Sequence, residues 1–168
     1  MKRLVIYPER CNGCLTCTLA CSAAHSLAKD ILGAMLEKVP SRIKIVPVEG
    51  TPVPVKCGHC EEPACVDACM AGAMQRDPVT GIVTNEGNEQ RCVGCWMCIM
   101  ACPYGVISPN YKEPKMAVKC DGCRSRQEGP ACVEACHNRA LLLEEIEEIG
   151  FSRQVNAGKR NKEKAQAV

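Results

Sequence analysis

Aromatic residues are nearly missing from this chain. Tyr7, Trp96, Tyr104, Tyr111 and Phe151 are the only five in 168 residues, thin material for a conventional core of that length. Long apolar runs are missing too. The stretch 4–7, which follows Lys2 and Arg3, is broken by Pro8 and Glu9. It falls far short of a signal-peptide core or a membrane span, and no twin arginine accompanies it. Phosphate-binding signatures are absent: there is neither a G-x-G-x-x-G after a strand nor a P-loop. No Ser–His–Asp set or paired carboxylates point to hydrolytic chemistry. Charge of one sign is absent as well. The formal net charge of +2 gives no strong field for nucleic acid or a membrane surface. The expectation is a cytoplasmic protein in a reducing compartment, with no nucleic-acid partner and no direct membrane span.

Cysteine is what the chain has. Sixteen fall in four runs of four, with none left over. The first run is Cys11, Cys14, Cys17, Cys21. The second is Cys57, Cys60, Cys65, Cys69. The third is Cys92, Cys95, Cys98, Cys102, followed by Pro103. The fourth is Cys120, Cys123, Cys132, Cys136. The first and third read C-x2-C-x2-C-x3-C, the bacterial ferredoxin spacing for cubane iron–sulfur clusters. Three thiolates on a tight loop converge on three irons of one cube, and the fourth, one helical turn further on, points to a different cube. Four runs predict four [4Fe–4S] clusters. Oxidised cubes with their thiolates would carry the net charge to about −6, and their volume and binding energy would stand in for the missing aromatic core.

Three other readings of so much cysteine fit less well. A disulfide scaffold wants a secretory context. All-cysteine zinc sites use two C-x2-C pairs separated by a longer loop. A radical enzyme binding S-adenosylmethionine wants one three-cysteine site with an open iron, whereas complete fourfold ligation leaves no iron open. A purely structural or metal-storage cysteine protein differs from a redox protein in its iron content and reducible visible absorption.

The chain repeats itself. Residues 10–17 parallel 91–98, 55–60 parallel 118–123, and 63–69 parallel 130–136, so the order is a duplicated two-motif unit. Each fourth cysteine is expected on a short helix. Leu27, Ile31, Leu32 and Met35 continue a helical period through 22–38, and 42–48 alternates as a strand. A turn at 77–81 is flanked by strands at 73–75 and 82–84. A strand at 140–143 closes the last unit, a short helix starts near 144–148, and the polar stretch after about 156 reads as a disordered tail.

These residues resemble the polyferredoxin family that includes the electron-transfer B subunits of dimethyl-sulfoxide-reductase-type oxidoreductases. The resemblance runs from Cys11 to about Leu143. Within it, residues 69–74 and 92–100 are similar to the ferredoxin-like subunit associated with anaerobic carbon monoxide dehydrogenase. It implies an α+β fold, a duplicated bacterial dicluster ferredoxin-like unit stabilised by metal clusters, with short helices and β-hairpins. Residues 1–143 would form two intertwined halves, 57–102 and 1–21 with 120–143, around an insertion at 22–56. Residues 144–168 would be a partly disordered extension. The resemblance implies a non-enzymatic electron-transfer subunit, with carbon monoxide dehydrogenase as donor and a hydrogenase or flavin-dependent NAD(P) oxidoreductase as acceptor. A formate dehydrogenase, hydrogenase or tungsten aldehyde oxidoreductase complex is the alternative setting. It also implies crossed ligation: Cys11, Cys14, Cys17 with Cys136; Cys120, Cys123, Cys132 with Cys21; Cys57, Cys60, Cys65 with Cys102; Cys92, Cys95, Cys98 with Cys69. Ser22, Met70 and His137 stand where the third run has Pro103, which restores an N–H near the cube and bears on potential rather than ligation.

Other side chains carry weaker signals. His59 and His137 adjoin ligands and could tune a cluster, but a surface position on a ligand loop is the plainer expectation. His25 is expected on a helix surface. Trp96 is expected to pack. Lys56, Lys115 and Lys119 could offset cluster charge, although lysines are usually solvated. Lys159, Arg160, Lys162 and Lys164 read as a solvated end.

Overall fold

The structure, a computed structural model, describes residues 2–112 and 114–166. Four two-stranded antiparallel sheets, six α-helices and a 3-10 turn at Pro8–Arg10 lie along it. Strand β1 (Lys2–Ile6) pairs with β8 (Leu141–Glu145), placing Leu4 opposite Leu143. The apolar stretch near the start is thus half of a sheet whose other half follows the last cysteine run. Strands β2 (Ile43–Val48) and β3 (Thr51–Lys56) form a hairpin. Its two loop residues, Glu49 and Gly50, both have positive φ, the type I′ geometry that matches strand twist. Only β2 was expected, because Glu-Gly lacks the Asn-Gly or Asp-Gly signature. Strands β4 (Gln75–Arg76) and β5 (Val83–Thr84) flank the expected turn in a shorter form. The pair β6 (Ser108–Asn110) and β7 (Met116–Val118) was not anticipated.

The helix expected over 22–38 is two helices. Helix α1 (Thr16–His25) stops at Ser26, whose hydroxyl donates to the Ala23 carbonyl at 2.8 Å. Helix α2 (Ile31–Leu36) begins afresh, with the Asp30 carboxylate accepting from Gly33 N–H at 2.6 Å. That is a standard N-cap. The apolar period does not mark a core: Leu27, Leu32, Met35 and Leu36 are all exposed.

Short helices carry the other run ends: α3 (Ala64–Asp67), α4 (Met97–Ala101) and α5 (Ala131–Glu134). The C-terminal stretch is drawn as strand and helix. Strand β8 extends to Glu145, and α6 runs Ile146–Gln166. Alanine, lysine, glutamate, arginine and glutamine favour helix even without a continuous apolar face, so polarity alone did not dictate disorder there.

Two buried clusters organise the interior. One gathers Cys57, Met74, Val83, Cys98, Val106, Ile107 and Ala117. The other gathers Cys17, Cys21, Ile43, Cys132 and Leu141. Cysteine sulfur takes the place of aromatic carbon in both.

Candidate iron–sulfur sites

Each run begins on a loop whose backbone is bent by residues of positive φ. In the first, Gly13 and Leu15 have φ of 75° and 62°; in the third, Gly94 and Trp96 have 69° and 65°. Leu15 and Trp96 also cap α1 and α4 in the left-handed conformation, which non-glycine residues adopt rarely. The bend turns successive cysteines to one side of the loop. The following helical turn carries the fourth cysteine away.

The sixteen thiols are free and border four cavities. Cys11, Cys14, Cys17 and Cys136 line the first. Cys21, Cys120, Cys123 and Cys132 line the second, where Cys60 also borders. Cys57, Cys60, Cys65 and Cys102 line the third. Cys69, Cys92, Cys95 and Cys98 line the fourth. The sets are the crossed ones of the resemblance. Helices α1 and α5 lead from the first cavity to the second, since Cys17 and Cys21, like Cys132 and Cys136, sit at adjacent cavities. Gly58 and Cys60 border both the second and the third. Cys65 to Cys69 and Cys98 to Cys102 lead from the third to the fourth.

Four sulfurs around one hole are a donor set for a cation. Burial, with the Cys136, Cys14 and Cys11 sulfurs, pushes the Cys17 thiol up to about 11. Burial and neighbouring cysteines raise Cys98 to about 11 and Cys132 to about 12. Such thiols ionise together only when a metal neutralises them. Further donors aim at the sulfurs: Arg42 N–H at Cys21 Sγ (3.3 Å), Met74 N–H at Cys69 Sγ (3.3 Å) and His59 N–H at Cys57 Sγ (3.5 Å). The Thr16 hydroxyl donates to Cys14 Sγ at 3.3 Å.

The histidines differ from expectation. His59 is 8% exposed rather than on the surface. Its Nδ1 accepts from Val83 N–H at 3.1 Å. Burial, then Lys119, Lys56 and Arg3, push it down to about 3, so it is neutral with the proton on Nε2. That Nε2 is buried without a partner among the described residues, and the ring borders the second cavity. A sulfide-bearing cube, when bound there, would supply the kind of acceptor the orphaned donor needs, so the residues present fit the cofactor.

His25 is half-buried, not free on the helix surface. Its Nδ1 meets the Cys21 carbonyl at 2.7 Å and its Nε2 meets Asp121 Oδ1 at 3.0 Å. Burial would lower its pKa, but the bonds to Asp121 and Cys21 hold it up at about 9. The Asp121 carboxyl stays well below its usual range despite burial, through His25 and Arg42. Donor atoms of His25, Asp121 and Cys123 lie within 4.8 Å of one another, yet a ring donating from both nitrogens has no lone pair for a metal. His137 is exposed, as expected. Trp96 packs edge-on against Tyr111, with centroids 5.5 Å apart. Lys115 is exposed, whereas Lys56 is half-buried and Lys119 fully buried. Helical periodicity gave no cue for either burial.

The sequence pattern of the 4Fe-4S dicluster domain family matches residues 48–146, more than half of the sequence. This chain therefore belongs to that family. Among curated relatives of this dicluster protein, an iron–sulfur protein of Rhodospirillum rubrum is 35% identical over 87% of this chain and 84% of its own length. The electron transport protein HydN of Escherichia coli strain K12 is 33% identical over 96% of this chain and 97% of its own. The B subunit of the anaerobic dimethyl sulfoxide reductase of the same strain is 37% identical over 84% of this chain and 72% of its own. The dicluster protein is thus an iron–sulfur electron-transfer protein, related to subunits of oxidoreductases. Among its described residues, no helix is long and apolar enough to cross a membrane.

Proposed function

We propose that this dicluster-family protein holds four [4Fe–4S] clusters in two intertwined halves and relays single electrons between a catalytic oxidoreductase and an acceptor. The grouping of sixteen free cysteines around four cavities, four to each with Cys60 also bordering the second, carries the reading. Each cubane, when bound, supplies reversible one-electron chemistry. The protein's own work is positional and electrostatic. Crossed cysteines tie neighbouring sites through single helical turns, which fixes their separations. N–H groups aimed at Cys21, Cys57 and Cys69 stabilise negative charge on sulfur. Buried Met74, Val83, Ile43 and Leu141 keep water away.

The cavity order supports a path with two ends. Cys14 at the first cavity and Cys95 at the fourth are the two exposed cysteines. Exposed Leu15 and Leu19 adjoin one end, and exposed Val93, Met97 and Met100 the other. We assign the two ends to donor and acceptor. The similarity of residues 69–74 and 92–100 to the carbon monoxide dehydrogenase-associated subunit makes that enzyme the proposed donor, with a hydrogenase or flavin-dependent NAD(P) oxidoreductase as acceptor. The test is anaerobic visible spectroscopy with catalytic carbon monoxide dehydrogenase and CO. Bleaching that requires both supports relay and donor. Reduction by dithionite alone keeps the relay and moves the donor to a formate, hydrogen or aldehyde enzyme. A fully metallated protein with no reducible chromophore ends the relay reading.

A further inference from the structure

Lys119 is buried to 1% exposure. Its Nζ donates to the Val83 carbonyl and, at 3.4 Å, to the Cys120 carbonyl. Among the described residues no carboxylate pairs with it. A buried cation without a counter-charge is costly, and proteins tolerate one only where an anion answers it. The side chain does not border the cavity of the cysteine it precedes. It borders the third cavity, with Cys57, Cys60, Cys65 and Cys102. Lys56 mirrors it in the repeat and makes the reciprocal crossing. It precedes Cys57 and donates to the Cys57 carbonyl at 2.7 Å, yet it borders the second cavity, with Cys21, Cys120, Cys123 and Cys132. Among the described residues, no lysine or arginine borders the first or the fourth cavity.

We infer that Lys119 and Lys56 are crossed counter-charges of the two middle clusters, each setting the potential of the cluster whose ligand triad begins immediately after the other lysine. The inference rests on the four-cluster reading. Reduction adds negative charge, so a fixed cation beside a site favours the reduced form. Lys56 acts at the second cavity beside Lys2, Arg3 and Arg42, which border it too, and with Lys119 at the third these cations raise both middle potentials above those of the end sites. The relay then has an interior well where an electron can wait.

The test is EPR-monitored redox titration of the iron-loaded full-length protein and of K119M, K119R and K56M. Signals are assigned with C102S for the third cavity and C21S for the second. K119M is expected to lower the potential of the third-cavity signal, with at least a tenfold fall in its reduced-to-oxidised ratio at fixed poise, or 59 mV for one electron. The second-cavity signal should stay in place. K56M should do the reverse, and K119R should stay close to the unsubstituted protein. Selective loss of the third-cavity cluster in K119M, restored in K119R, also supports a counter-charge. Shifts in the uncrossed signal, or iron-replete variants with no shift, overturn the assignment. If the unsubstituted protein lacks a signal that C102S removes, the four-cluster reading fails first, an outcome distinct from a signal that is present and unmoved.

Discussion

Gly94 sits between Cys92 and Cys95, and its replacement by alanine probes the loop that gathers three thiols. Its φ is +69°, and a methyl there would lie 3.0 Å from Lys115 Cβ and 3.2 Å from the Lys115 carbonyl oxygen. The left-handed conformation costs a non-glycine residue about 1–2 kcal/mol. The contact with Lys115 involves backbone, which cannot rotate aside, and overpacking of this kind adds about 1–3 kcal/mol. Gly50→Ala is the matched control. Its φ is +80°, but nothing lies within 4 Å of the added carbon, so only the conformational part applies. The difference between the variants, about 1–3 kcal/mol, corresponds to roughly 5- to 150-fold where it is expressed in the unfolding rate. Cluster loss makes unfolding irreversible, so the rate is the quantity to measure. Anaerobic unfolding at fixed guanidinium, followed through visible absorption, supplies it. Gly94→Ala should bleach faster, with the fourth-cavity signal lost first. Equal rates for the two variants would refute the claim that Lys115 closes over this loop.

Three further outcomes are expected. Cys136→Ser should alter the same EPR signal as Cys14→Ser; a match to Cys123→Ser instead would break the crossed assignment. Stripping iron with an anaerobic chelator should destabilise the fold and diminish far-UV circular dichroism, because buried thiols around four cavities leave little other core; an apoprotein with unchanged spectrum and thermal midpoint would contradict this. Leu141→Ala, at a fully buried position beside Cys17 and Cys132, should cost about 2–5 kcal/mol, read as a lower thermal midpoint of the loaded protein, and a cost near zero would show that the cluster it packs in is not a core.

Much of the site was legible because its chemistry is local. The C-x2-C-x2-C-x3-C spacing places three sulfurs on one short loop and the fourth one turn on, and no distant residue is needed to see it. Strand β2 was legible through its alternation, and β8 as the strand that closes the last cysteine unit. The second half of each pair was not. Strand β1 has too few residues to show a period, and its reason to be a strand is β8, at the far end of the sequence. Helix α1 ended early because Ser26 and Asp30 offered their side chains to the backbone, a competition that an apolar period does not register.

By itself the sequence determined the cofactor class and the number of thiol sets, since both follow from covalent spacing. It also determined that the core could not be aromatic. Only the tertiary structure decided where charge resides. Lys119 and Lys56 look alike beside their cysteines, and His59 looks like any loop histidine. The folding of one motif against the other buries the first lysine completely, half-buries the second and sets each at the other's cavity. Burial and electrostatic neighbourhood are properties of segments brought together from far apart, and residue spacing does not encode them.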